Sequence, residues 1–387
     1  MPSDAFLYTG LFKNRMTILE VTDSKTNKAF LDVARAIYKD DENWVCPLDM
    51  DVEAVFDPQK NNFHQFGKCI RWILKDDAGK LIGRIAAFIN DKKAYNYEQP
   101  TGGMGFFECI NSQEAANLLF DTAKNWLQQN GMQAMDGPIN FGENDTFWGL
   151  LVEGFAPPSY GMNYHLPYYR NLFETYGFTT LYEQITNQLS PRIPFPARFE
   201  KIARWVRQKP GYEFKHFRVK EIEKFAADFV EIYNDAWADF ENFVPINHHT
   251  LLESFNKMKP ILDEKLIWFA YVNGEPAAFN IVLPDANGML KPLKGKLNLI
   301  GKLIFAYRRW KGVKRMRGIV MGTKKKFQNH GLESALFITL GDYVLPLEQY
   351  DTLELSWVGD FNEKMLALHY SMGATFANKH LTMRCIF

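Results

Sequence analysis

The 387-residue chain has only four cysteines (Cys46, Cys69, Cys109 and Cys385), with no CxxC pair and no spacing suited to zinc. That excludes a disulfide-stapled scaffold and fits the reduced, buried thiols of a cytosolic protein. Charge of one sign is also lacking. Lys plus Arg and Asp plus Glu both number 45, so the global balance gives no pull toward nucleic acid or an anionic membrane. No run reaches the roughly 18 uncharged apolar residues that a spanning helix needs. The N-terminal MPSDAFLYTG has no basic stretch followed by an apolar core, so no secretory signal is expected. A soluble, cytoplasmic chain of about two domains is the expectation. Aromatics, by contrast, are plentiful at 15%, with 32 Phe, 17 Tyr and 9 Trp, which suits well-packed sheets.

The hydrophobic period alternates in the same order twice. In the first half, Thr17–Val21 reads as a strand and Asn27–Tyr38 as an amphipathic helix. Cys69–Lys75 and Leu81–Ile89 read as a hairpin across Asp77-Ala78-Gly79, followed by a strand at Met104–Glu108. Ser112 caps a long helix to Gln129, Ala134–Gly137 is a short strand, Pro167–Tyr176 a helix and Leu181–Leu189 a strand. Pro191, Pro194 and Pro196 then fix an extended linker, and a helix over Ala197–Gln208 bridges to the second half. There, Phe214–Val219 is a strand, Glu221–Trp237 and His248–Lys257 are helices, and Leu266–Val272 pairs with Pro276–Leu283 across the Asn273-Gly274 turn. Gly318–Gly322 is a strand, Glu333–Val344 a helix, Leu353–Val358 a strand, Asn362–Ser371 a helix, and Thr375–Ile386 closes as strand. Such a weak duplication points to tandem copies of one fold.

One stretch concentrates chemistry. In GIVMGTKKKFQNHGLESA, an apolar strand leads into Gln328-Asn329-His330-Gly331 and then a helix start near Leu332. Strand, loop and helix N-terminus together make an anion site. Gln328 to Glu333 reads Q-x-x-G-x-E, similar to the Q/R-x-x-G-x-G/A pyrophosphate loop of the GNAT N-acyltransferase superfamily. Nearly the whole chain resembles bacterial tandem-GNAT proteins. The segments that carry the likeness are ECINSQEAANLLFDTAKNWLQQNGM, GPINFGENDTFWGLLVEGFAPPSYGMNYHLPYY, IYNDAWADFENFVPI, Leu262–Leu266, VNGEPAAFNIVLPD and ELSWVGDFNEKM.

The resemblance implies a mixed α/β chain with largely antiparallel central sheets. An N-terminal GNAT-like domain would span residues 1–190, a Pro-rich linker and bridging helix 191–212, and a C-terminal GNAT domain 213–387. It implies acetyl-CoA or a longer acyl-CoA as co-substrate, held by Val320, Met321, Gln328, Asn329, His330, Gly331, Leu332, Ser334 and Asn362. The first half lacks a Q/R-x-x-G element after Met104–Glu108, so its CoA grip is expected to be degenerate. Glu333 stands where the family has a small residue, and a carboxylate aimed at a pyrophosphate would repel it.

Acyl transfer needs an acid for the leaving thiolate and a base for the amine. Where active GNAT enzymes carry a Tyr late in the penultimate helix, this chain has His369, with Tyr370 beside it. Glu354, Asp360 and Asp239 are candidate bases, of which Glu354 is grouped with His369 and Tyr370 as the catalytic set. Asn140, Glu143, Asn144, Asp145, Tyr164, Tyr168 and Trp357 are expected to line an acceptor cleft, since polar, Gly-rich and aromatic loops carry function. The acceptor would be a small-molecule amine or a peptide. His248-His249 has no carboxylate pair at fixed spacing beside it, so no metal is expected.

From Pro284 to Lys326 there are thirteen Lys/Arg and one acid, Asp285. This basic insertion (284–317) contains LNLIGKLIFAYRRWKGVKRMR. Three readings stay open: a solvated helix whose lysines attract CoA phosphates, a cationic amphipathic helix that meets an anionic membrane or a long acyl chain, and RNA contact through Arg308, Arg309 and Trp310. The functional reading is an acyl-CoA-dependent N-acyltransferase. The alternatives are a non-catalytic CoA or acyl-CoA binding protein and an aminoacyl-tRNA-dependent transferase of the two-GNAT-domain kind, with tRNA the least favoured partner.

Overall fold

The computed structural model describes residues 16–239 and 245–387. The N-terminal decapeptide and part of IYNDAWADFENFVPI lie outside the described residues. The first half runs β1 (Thr17–Glu20), α1 (Ser24–Ile37), α2 (Asp49–Val55), β2 (Gly67–Lys75), β3 (Leu81–Asn90), β4 (Thr101–Cys109), α3 (Gln113–Gln129), β5 (Ala134–Gly137), β6 (Leu150–Glu153), α4 (Tyr169–Tyr176) and β7 (Thr179–Leu189). The second half runs α5 (Ala197–Arg207), β8 (Tyr212–His216), α6 (Ile222–Trp237), α7 (His248–Met258), β9 (Ile267–Val272), β10 (Glu275–Pro284), α8 (Asn287–Leu290), α9 (Leu299–Lys311), β11 (Arg315–Thr323), α10 (Leu332–Val344), β12 (Thr352–Glu354), β13 (Val358–Gly359), α11 (Glu363–Ser371) and β14 (Thr375–Ile386).

Two compact units form. Of the described residues, the first takes those up to 184 together with 290–302 and 378–387; the second takes those from 185 to 289 and from 303 to 377. The last strand, β14, pairs antiparallel with β5 (Met383 opposite Gly137) and with β6. The end of β7, in turn, pairs with β12, Leu353 opposite Leu189. Each half of the chain thus gives its closing strand to the other half's unit.

Within the first unit the strand order is β1-β2-β3-β4-β5-β14. Strand β3 is buried on both faces, because alternate residues meet different helices. Ile85, Ala87 and Ile89 join Leu119, Phe120 and Phe173 of α3 and α4, whereas Ala86 and Phe88 join Phe30, Val33, Val52 and Val55 of α1 and α2. Phe107 stacks on Phe120 at 4.5 Å between ring centroids, a geometry worth about 0.5–1.5 kcal/mol beyond area burial.

The second unit repeats the plan in the order β7-β12-β11-β10-β9-β8. One face packs on α6 and α7 through Phe225, Phe229, Phe255 and Phe279. The other packs on α5 and α10 through Val206, Ala278, Leu332 and Leu336.

The duplication extends to an irregularity. Between Arg84 and Ala86 the β3–β4 register shifts, leaving an extra residue in β4 at Phe106–Phe107, where Phe106 takes φ 52°. Between Ile281 and Val282 the β10–β11 register shifts likewise, with Ile319 as the extra residue. Before each bulge the strand pairs in parallel with the next one, Thr101–Gly103 with Ala134–Asp136 and Arg315–Arg317 with Thr352–Glu354. A bulge kinks the strand and ends regular pairing. The expected strand Leu353–Val358 is accordingly two short pieces, β12 and β13, with Ser356 between them.

Candidate functional site

Where β11 leaves β12 in the second unit, the freed carbonyls of Gly318 and Ile319 lie 2.8 and 2.7 Å from the Ser356 hydroxyl. Val320 and Met321 follow on β11, half-buried. The chain then turns through Lys325–Phe327 into Gln328–Gly331 and enters α10. Gln328 Nε2 is 3.5 Å from the Thr323 carbonyl, Asn329 adopts φ 65°, and His330 Nδ1 lies 3.3 Å from the Tyr212 hydroxyl. Gly331 has φ 78°, and no side chain caps α10. Its first helical bond runs from Ala335 N–H to the Gly331 carbonyl, 3.1 Å, so the N–H groups of Leu332, Glu333 and Ser334 have no intrahelical acceptor.

Two buried polar groups lie on the strands that lead into this turn. The Asn280 amide nitrogen on β10, opposite Met321, has no hydrogen-bond partner among the described residues, and neither has the Thr323 hydroxyl. An unsatisfied buried group costs about 1–3 kcal/mol, which an acceptor on a bound ligand would offset. These orphaned donors and the uncapped helix suit an anionic, acceptor-rich ligand.

The lysines of the loop do not add free charge. Lys324 is buried and paired with Glu231 and with Glu275 (2.9 Å), Lys325 with Asp239 (2.6 Å) and Lys326 with Glu275 (2.7 Å). The carboxylates around it hold the Lys324 ammonium pKa above its ordinary value against the cost of burial.

The corresponding turn in the first unit is closed. Ser112 Oγ accepts from Ala115 N–H at 3.3 Å and caps α3.

The expected catalytic residues fall in different settings. His369 on α11 is buried, and burial lowers its pKa to about 4. Its Nδ1 lies 3.3 Å from the Asn187 side-chain amide. A neutral imidazole offers a departing thiolate a hydrogen bond rather than an imidazolium proton. Tyr370 points to solvent. Glu354 is buried with a carboxylate oxygen 3.9 Å from Arg315, which also holds the buried Asp285 at 2.7 Å. Asn362 caps α11, accepting from Met365 N–H at 3.2 Å, and Trp357 is half-buried.

The remaining cleft candidates belong to the first unit. Asn140 donates to Thr146 at 3.4 Å, Asn144 to the Tyr182 hydroxyl at 3.3 Å, and Asp145 accepts from Thr146 at 3.5 Å. Glu143 is exposed, 3.9 Å from Lys93. Tyr164 donates to Asp41 at 2.9 Å and Tyr168 to the Cys109 carbonyl at 2.7 Å.

Beside these tyrosines lies a group that the sequence reading passed over. Glu108 is buried and accepts from the hydroxyls of Tyr38 (2.7 Å) and Tyr169 (2.8 Å), with Arg84 at 3.5 Å. Desolvation raises its pKa against the pull of Arg84 and both tyrosines. Arg84 and Glu108 are ladder partners. The available signal was one lone charge in each of two otherwise apolar neighbouring strands.

Among the described residues no group of three or more His, Cys, Asp and Glu is placed to hold a metal ion, and no helix is long and apolar enough to cross a membrane. An apolar cavity of about 170 Å³ lies in the second unit, lined by Ile193, Phe195, Met316, Phe337 and Leu353.

No protein-family model matches the sequence. A bacterial ceramide synthase of Caulobacter vibrioides (strain NA1000 / CB15N) is 28% identical over 372 residues, covering 93% of this chain and 94% of the relative. Protein YghO of Escherichia coli (strain K12) is 26% identical over 377 residues, covering 95% and 93%. Among solved structures, a tandem GNAT protein from the clavulanic acid biosynthesis pathway matches with a TM-score of 0.55 at 10% identity, over 96% of this chain and 98% of that one. At such identity the structural match speaks to the fold alone. With a bulged strand, a splayed parallel neighbour and a following helix in each unit, the chain is a GNAT-fold protein of tandem build.

Proposed function

We propose that the protein is an acyl-CoA-dependent N-acyltransferase whose second unit binds the donor. The observation that carries this reading is the β11–α10 turn: a bulged, splayed strand, with an unpartnered buried donor on it and another on its neighbour β10, running into an uncapped helix start. Backbone N–H groups of Leu332, Glu333 and Ser334 take the pyrophosphate. Gln328, Asn329, His330 and Gly331 shape the turn, and Val320, Met321 and Asn362 border the pantetheine arm. The amine nitrogen attacks the thioester carbon, the C–S bond breaks, and the thiolate leaves as CoA thiol after taking a proton. Glu354 is the proposed base. His369 Nε2–H stabilises the thiolate, and Tyr370 is the neighbouring alternative acid. Trp357 is proposed to serve acceptor binding in the second unit, and Asn140, Glu143, Asn144, Asp145, Tyr164 and Tyr168 are proposed as a binding surface of the first unit taken by itself.

The name of the Caulobacter relative supplies the first acceptor class to try. Ceramide is a fatty amide of a long-chain amino alcohol, so a long-chain amine with a long-chain acyl-CoA is the leading pair. Peripheral contact of the basic insertion with an anionic membrane belongs to the same reading. Non-catalytic CoA binding is the second reading, favoured by the burial of His369 and the solvent-facing Tyr370.

The test is free-thiol release from acetyl-CoA and palmitoyl-CoA across a panel of small, peptidic and long-chain amines, with the amide product identified by mass spectrometry. Thiol release that depends on amine is expected. CoA binding without release for any amine would favour the second reading, and charged tRNA as the sole productive donor would overturn both.

A further inference from the structure

Helix α9 leaves an apolar face uncovered. Leu299, Ile300, Leu303, Tyr307 and Trp310 are all exposed, Trp310 to 82% and Leu299 to 75%. At 3.6 residues per turn these five positions fall within an arc of about 100°. On its other side Gly301 is buried, and Ile304 and Phe305 are half-buried. A soluble helix normally turns its large apolar residues inward, so this one is inverted.

Charge flanks the same face. Lys311 borders it next to Ile300 on the helix surface, and Lys302 borders it next to Leu299, while Arg309 donates to the Leu262 carbonyl at 3.4 Å. Residues 290–314 carry Lys291, Lys294, Lys296, Lys302, Arg308, Arg309, Lys311 and Lys314 and no Asp or Glu. Unlike Lys324–Lys326, the cations Lys296, Lys302, Arg308 and Lys311 take part in no ion pair among the described residues.

An apolar stripe with Trp and Leu at its centre and cations at its edges is the form of a helix that lies in the plane of a bilayer. We infer that α9 is a membrane-docking helix whose exposed stripe enters the acyl-chain boundary of an anionic leaflet while Lys302 and Lys311 meet lipid phosphates. This deepens the proposed membrane contact from charge attraction to apolar insertion. It does not depend on the donor site, because docking needs neither CoA nor an acceptor.

The experiment is co-sedimentation of the full chain with phosphatidylcholine vesicles, with and without about a third phosphatidylglycerol. Anionic vesicles should bind the protein at low salt. Raising salt from 0.1 to 1 M shortens the Debye length from about 10 to about 3 Å, so binding should weaken, yet an inserted stripe should leave measurable binding. Leu303→Ser with Trp310→Ser should weaken binding at least tenfold at an unchanged melting temperature, since both side chains are exposed. Brominated lipid should quench part of the tryptophan emission, and Trp310→Phe should remove that part. Four results would overturn the inference: no binding to anionic vesicles, equal binding by the double variant, tighter binding to tRNA than to vesicles, or a self-association that the double variant abolishes.

Discussion

Gly331 meets two constraints at once: a φ of 78° and a Val206 methyl 3.0 Å from where a Cβ would sit. The left-handed backbone alone costs an L-residue about 1–2 kcal/mol. Gly331→Val is therefore expected to lower stability by roughly that much or more and to weaken CoA binding at least tenfold, about 1.4 kcal/mol. Calorimetry on the folded fraction separates the two effects, and undiminished affinity would remove this loop from donor binding. His369→Phe is expected to lower kcat by roughly a hundredfold at near-unchanged CoA affinity, with Tyr370→Phe close to wild type because that hydroxyl faces solvent. Steady-state kinetics checks both.

Burial also makes the protein sensitive to acid. His369 and His380 are lowered to about 4 and His165 to about 3, so all three are neutral in the native state at pH 7. The unfolded chain takes up protons below about pH 6.5 and the native state does not, so stability falls as pH drops from about 6.5 toward 4. For His369 the loss approaches roughly 3 kcal/mol. Above pH 6.5 these groups contribute no pH dependence. Urea titrations at pH 7 and pH 5 measure the difference, and a flat profile would contradict the burial of these imidazoles. The position of His369 near Gly373 was legible in the sequence. Its burial against Asn187 was not, because that partner lies 182 residues away.

At the scale of elements, most strands and helices were legible from period and caps, since local propensity and tertiary burial agree there. Helix α2 and strand β6 were not, being too short to show a period. The broken β12–β13 stretch reads in sequence as one strand, because a splay leaves the apolar alternation intact. Caps distinguish the two anion-site candidates. Ser112 holds the start of α3, so Ser112→Ala is expected to cost about 1 kcal/mol without changing CoA affinity, measured by urea unfolding alongside calorimetry. A change in affinity would mean that the first unit takes part in donor binding.

At the scale of the whole molecule, the repeat was legible but the exchange of closing strands was not. The sequence of β14 says that it is a strand, and nothing local says that its partner is β5, some 250 residues earlier in the chain. The buried Glu108–Arg84 pair locks the interior of the first unit. Glu108→Ala should therefore destabilise by several kcal/mol, about 3–5, by leaving a guanidinium uncompensated.

The central claim is one donor site per chain, at the open turn before α10 and not at the capped turn before α3. Isothermal titration of CoA into the full chain tests it most directly. A stoichiometry of one, with affinity lost in Gly331→Val and kept in Ser112→Ala, is the predicted result; no binding, or two equivalent sites, would contradict the account.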